Sequence, residues 1–212
     1  MSELNNIIGG GANNLLLRRR MMLAKKQSRY SVNWNQLMEN GDFTERTESK
    51  TTYKHWRWYG SVGTISETPS GELVINGGKF RTDAPIIPTI ESHVYFVKFR
   101  AKKNVADINS TFYLPLDGGG LKRLQTDYVT YEYRRKPIQA DVIIQFNADD
   151  GIISIDKNYG IRFIDLTQMF GEGNEPTSVS DFEAWLAENN LDGYQPYNEG
   201  EIRYTTKPSW IL

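Results

Sequence analysis

The feature that most constrains this chain is a period of two. Between residues 95 and 101 the odd positions Tyr95, Val97, Phe99 and Ala101 are apolar, with Lys98, Arg100 and then Lys102 among the even ones. Successive side chains on a strand point to opposite faces, so the pattern describes a strand with one buried and one wetted side. Val129, Tyr131 and Tyr133 repeat it against Thr130, Glu132 and Arg134. Val142, Ile144 and Phe146 repeat it against Asp141, Gln145 and Asn147, broken only by Ile143. Further strands are expected over 59–65, 72–75, 110–116, 152–155 and 161–166. Turn chemistry separates them at Pro69-Ser70-Gly71, Asn76-Gly77-Gly78, Asp117-Gly118-Gly119-Gly120, Asp149-Asp150-Gly151 and Asn158-Tyr159-Gly160. About eight short strands at this spacing predict a mainly β chain, an antiparallel jelly-roll β-sandwich.

Two flanking zones differ from this one. Residues 1–32 open on Gly9-Gly10-Gly11 and continue into helix formers, so an extended or helical arm is expected there. The arm carries Arg18, Arg19, Arg20, Lys25, Lys26 and Arg29 against Glu3 alone. It is cationic on a chain whose 25 basic and 26 acidic residues nearly cancel. Residues 33–170 are the expected sandwich. Residues 171–212 are expected to hold one short helix and a tail. There Ser180-Asp181-Phe182-Glu183 fits a capping box, and Phe182, Trp185 and Leu186 share a helical face to about residue 189. The apolar end Pro208-Ser209-Trp210-Ile211-Leu212 is expected to dock on its own domain or on a neighbour.

Several chemistries find no support. The chain has no cysteine, which excludes disulfides and thiolate ligands. A net charge of −1 does not describe a whole-chain nucleic-acid binder driven by counterion release. No apolar run reaches the roughly 18 residues of a membrane helix. The order of Leu15-Leu16-Leu17 before Arg18-Arg19-Arg20 is also the reverse of an export signal. The histidines, His55 and His93, are far apart, and no Gly-x-Ser-x-Gly or His-Glu-x-x-His is present. Carboxylate pairs such as Glu45 with Glu48 or Asp149 with Asp150 read as solvated loop charges. No catalytic residue, metal or cofactor is expected, and the glycine triplets are not phosphate loops.

Two segments could bind. In Lys54-His55-Trp56-Arg57-Trp58-Tyr59, the residues Trp56, Trp58 and Tyr59 could stack on sugar rings or bases. The plainer alternative puts one tryptophan in the core and the other at an edge or interface. In the arm, Leu15, Leu16, Leu17, Arg18, Arg19, Arg20, Met21 and Met22 could touch nucleic acid, dock on an acidic protein surface or stay solvated. The concentration of large apolar residues favours docking.

Asn35-Gln36-Leu37-Met38-Glu39-Asn40-Gly41-Asp42-Phe43, followed by Trp56 and Trp58, resembles the opening of carbohydrate-binding-module-like jelly rolls. Residues 94–102 and 127–133 resemble two of their strands. Many such domains place an acid directly after the phenylalanine to help hold calcium. Here Thr44 stands there, with Glu45 next, so no metal is expected. Residues 163–176, F-I-D-L-T-Q-M-F-G-E-G-N-E-P, resemble an ending of tail and fibre proteins of gut phages and prophages, and residues 14–22 resemble a leader of virion-associated proteins. The resemblance implies a virion structural protein: a head fibre, decoration or tail-associated component, trimeric, held to other virion proteins by its arm. The alternative it implies is an adsorption module that contacts host-surface or mucus glycan.

Overall fold

In the computed structural model the described residues are 30–48, 52–83, 87–104, 109–116, 120–149, 151–193, 197 and 200–211. The arm residues 15–22 lie outside them. Two antiparallel sheets face each other. One has the order β10(Val129–Arg135)-β7(Tyr95–Lys103)-β13(Ile152–Asp156)-β4(Glu72–Asn76)-β3(Thr64–Glu67), with β14(Arg162–Asp165) also on β7. The other is β2(Trp56–Trp58)-β5(Lys79–Thr82)-β12(Gln145–Asn147)-β8(Thr111–Leu114)-β9(Gly120–Arg123). Two small pairs complete the fold, β1(Tyr30–Trp34) with β15(Gly200–Tyr204) and β6(Ile87–Pro88) with β11(Asp141–Val142). The fold is the expected antiparallel sandwich with a short C-terminal helix.

The alternation decides what goes between the sheets. Tyr95, Val97, Phe99 and Ala101 of β7 point inward, against Trp56, Phe80, Phe112 and Phe146 of the other sheet. Rings meet edge-on across the gap, Phe99 with Phe112 at 5.0 Å and with Phe146 at 5.6 Å. That geometry suits the ring quadrupoles.

A second core lies on the outside of the six-stranded sheet. Phe96 and Ile164 face outward there and are buried by helix α2(Val179–Glu188) and by the β1–β15 pair. Phe96 meets Phe182 at 4.9 Å, and Trp185 meets Tyr204 at 5.1 Å. The helix begins two residues earlier than the sequence suggests. Its cap is Ser178, whose hydroxyl accepts from the Asp181 amide at 3.1 Å, and not Ser180. Asp181 then sits in the first turn, where a negative charge suits the helix dipole. The apolar C-terminus docks on its own domain, with Trp210 against Phe170 at 5.5 Å and its indole N–H donating to Asn174 O at 2.9 Å. Residues 30–32 belong to β1, paired with residues 202–204 of β15.

Strand limits also differ from expectation. The stretch 59–65 is not one strand. β2 precedes it, Tyr59 and Ser61 form an isolated bridge, and β3 starts at Thr64. Gly60, at φ 74°, turns the chain between them. The Ile143 break is real, separating β11 from β12.

The Asn40-Gly41-Asp42-Phe43 motif is a structural knot. Asn40 is left-handed at φ 51°, and its amide bonds the backbone of Glu45 (2.9 and 2.8 Å) and of Lys54 (2.9 Å). A Cβ on Gly41 would come within 2.4 Å of Ile161 O. Phe43 fills the core beside Trp56, whose N–H donates to Asn40 O at 3.2 Å. Buried Gln36 stands in for a missing strand beside β14, accepting from the Phe163 amide at 2.6 Å.

Candidate functional site

The outer side of the five-stranded sheet is the surface on which the strands place polar groups together. Trp56, Phe80, Phe112 and Phe146 point inward, so their neighbours point outward. The pairing register aligns Arg57, Arg81, Gln145, Tyr113 and Leu121 across the five strands. A second row holds Lys79, Asn147, Thr111 and Arg123, and Tyr59 extends it, its amide bonding Lys79 O at 2.8 Å. At strand spacing each row spans about 19 Å.

The groups on this face are tied to one another. Gln145 Nε2 donates to Asn147 Oδ1 at 2.5 Å, and Asn147 Nδ2 donates to Thr111 Oγ1 at 3.0 Å. The Arg81 guanidinium lies 3.7 Å from the Tyr59 ring centroid. At one rim Arg57 Nε meets Asp83 at 3.1 Å, and at another Lys79 meets Asp149 at 3.3 Å. Tyr59 is 50% exposed and Leu121 62%, while Tyr113, Gln145 and Asn147 are half-buried. Amides and hydroxyls can both donate and accept, as sugar hydroxyls do. Exposed rings can take the apolar faces of sugars.

The three aromatic residues singled out in the sequence are not brought together as a platform. Trp56 is 1% exposed and stacks on Phe80 at 5.3 Å, so neither of its ring faces is open to a ligand. Trp58 lies two residues on, hence on the same inward side, and packs partly buried against Phe80. One tryptophan in the core and the other at its margin is the plainer alternative. Tyr59 alone of the three faces outward. Nothing in the sequence singles out Arg81 or Tyr113, and alternation shows Gln145 and Asn147 only as wetted positions flanking Phe146.

Other polar groups are structural. His93 Nδ1 meets Asp165 Oδ2 at 2.8 Å, and Asp165 Oδ1 accepts from the Gln168 amide at 2.9 Å, capping α1(Leu166–Phe170). His55 Nε2 meets Glu39 at 2.8 Å beside a cavity of about 80 Å³ at the end of the sandwich. A larger cavity, about 280 Å³, lies under α2; its Lys98 is held in ion pairs, and its Arg162 has a partner at one terminal nitrogen while its Nε is buried without one among the described residues. Lys98 pairs with Glu132 (2.8 Å) and with Glu183, and Arg162 donates to Asp192 O. Among the described residues no group of three or more His, Asp or Glu is placed to hold a metal.

No family profile and no curated protein matches the chain. Solved structures do. A CBM4 domain is 19% identical, with 60% of this chain and 98% of that one covered at a TM-score of 0.38. The CBM22-1 xylan-binding domain from Paenibacillus barcinonensis Xyn10C is 10% identical, covering 62% and 95% at 0.41. The enzymatically active domain of bacteriophage CBA120 tailspike protein 4 is 12% identical, covering 60% of this chain and 21% of that one at 0.36.

Proposed function

We propose that this chain is a non-catalytic, carbohydrate-binding-module-like domain that binds glycan on the outer face of its five-stranded sheet. The observation that carries the reading is the contrast between the two outer faces. The outward row of the six-stranded sheet lies under α2 and in closed ion pairs. The outward rows of the five-stranded sheet leave amides, hydroxyls, guanidinium groups and two tyrosines facing solvent on rigid strands. Strand-mounted groups bind with less ordering cost than loop groups. Their spacing, about 4.8 Å from strand to strand, is on the scale of a pyranose ring.

A glycan array of host-surface and mucus polysaccharides, followed by Tyr113→Ala and Gln145→Ala, tests this. Each substitution should weaken the best-bound glycan by about tenfold while leaving the fold intact. Absence of binding to every polysaccharide at millimolar ligand would count decisively against the reading.

A second reading is compatible with the first and concerns location. Residues 163–176 and 14–22 resemble phage virion proteins, which supports a domain carried on a tailed-phage particle, trimeric and held to other virion proteins by its N-terminal segment. A chain lacking residues 1–29 keeps β1 whole. It should fold and fail to join the particle, and normal incorporation would remove the anchor.

A further inference from the structure

The open face carries a local excess of positive charge on a chain that is neutral to within one unit. Its outward strand positions include Arg57, Lys79, Arg81 and Arg123, and none of them holds a carboxylate. The nearest acids are at the rim, where Asp83 engages Arg57 and Asp149 engages Lys79. Arg81 and Arg123 have no carboxylate partner among the described residues.

Arg81 is the more informative of the two. It sits inside the row, between Arg57 and Gln145. Its Nε is buried and has no acceptor. The Tyr59 ring covers one side of the guanidinium, with Cζ 3.7 Å from the ring centroid, and limits its movement. A held, planar guanidinium without an acid matches a carboxylate or sulfate better than it matches a neutral hydroxyl. The adjacent half-buried Gln145 and Asn147, held in place through buried Thr111, lie beside it to meet hydroxyls of the same ligand.

We propose that the glycan taken by this face is anionic, a polysaccharide bearing carboxylate or sulfate groups, and that Arg81 receives the charged group, with Arg123 adding to the attraction at the sheet edge. The proposal rests on the glycan-binding reading and names the ligand class within it. A neutral face would leave affinity insensitive to salt. A cationic one makes it fall as ionic strength rises.

Affinity electrophoresis of the full chain separates the alternatives, with polygalacturonate, its fully methyl-esterified form, dextran sulfate, dextran and inorganic polyphosphate as probes. Retardation by polygalacturonate or dextran sulfate should exceed that by the matching neutral polymer at least about tenfold, and which of the two acts identifies carboxylate or sulfate. Arg81→Gln should abolish most of the difference and Arg123→Gln a smaller part. If Arg81→Gln does not fold, Arg123→Gln and the salt dependence carry the test. Equal binding of a neutral polymer and its charged form overturns the charge selectivity and leaves glycan binding standing. Equal retention on polyphosphate shows general polyanion adhesion and also overturns it. Failure on all these polymers and on the glycan array overturns both readings.

Discussion

The two outer faces of this sandwich are made by the same device and come to opposite ends. On the six-stranded sheet the outward row of β7 begins apolar, with Phe96, and turns charged at Lys98, Arg100 and Lys102. The apolar end needs cover, and α2 with the β1–β15 pair supplies it. The charged end is neutralised in place: Arg100 meets Asp156 at 3.2 Å and Lys102 meets Glu72 at 3.1 Å, while Lys98 lies between Glu132 and Glu183. On the five-stranded sheet no outward position holds a large buried apolar side chain, so no second layer is required. Its cations outnumber its acids, and among the described residues two, Arg81 and Arg123, have no carboxylate partner. A face finished by the chain itself is structure. A face left open, with cations that no carboxylate matches among the described residues, is the one proposed for a ligand.

The largest expected effect breaks the covered face. Phe182→Ala or Trp185→Ala removes a ring from the second core and should cost about 3–5 kcal/mol, read as a lower urea midpoint. Trp56→Ala should cost as much, through the central core and not through a lost ligand contact. Gln145→Ala on the open face should stay within about 1 kcal/mol of wild type. Comparable losses on both faces would erase the distinction.

A smaller effect compares charges. Lys98→Met leaves Glu132 and Glu183 facing each other without their cation, and should destabilise by about 1–3 kcal/mol. Arg123→Met on the open face removes a cation that has no carboxylate partner, and should move the midpoint by less than about 0.5 kcal/mol.

The smallest effect is in acid. Glu67, at the edge of the six-stranded sheet, is held down to about 2 by Lys157, Tyr53 and Arg46. Its unfolded value is near 4.5, so its contribution is complete above that pH and is lost as the pH falls through about 2. Because the group is a third exposed, the share is on the order of 1 kcal/mol or less. Glu67→Gln should flatten the fall of thermal midpoint between pH 4.5 and 2. An unchanged slope would assign that fall to other carboxylates.

The sandwich was legible because its inward residues announce themselves by period. β7 and β10 follow from it directly, and the C-terminal helix follows from Phe182, Trp185 and Leu186. The proposed binding face was not, for the same physical reason. Alternation marks Gln145 and Asn147 only as wet, and nothing local states that Arg81 and Tyr113 will lie beside them. That neighbourhood comes from long-range pairing of β5, β12 and β8. β5 itself, Lys79-Phe80-Arg81-Thr82, is too short and polar to read as a strand. Trp56 and Trp58 stand out in the sequence by size, yet their spacing of two puts both on the inward side, and size is what a core selects. The Asn40–Phe43 motif resembled a binding domain and serves its fold, and a shared fold does not fix a ligand.

The central claim is that the ligand lies on the five-stranded face. Backbone amide shifts of the labelled protein, titrated in turn with xylo-, cello-, laminari- and galacturonic oligosaccharides, test it most directly. The account predicts saturable shifts along β5, β12 and β8, centred on Arg81, Gln145 and Tyr113, largest with the galacturonic oligomer, and quiet residues along α2 and β10. Shifts centred on α2 and Lys98, or none with any of the four sugars at millimolar concentration, would contradict it.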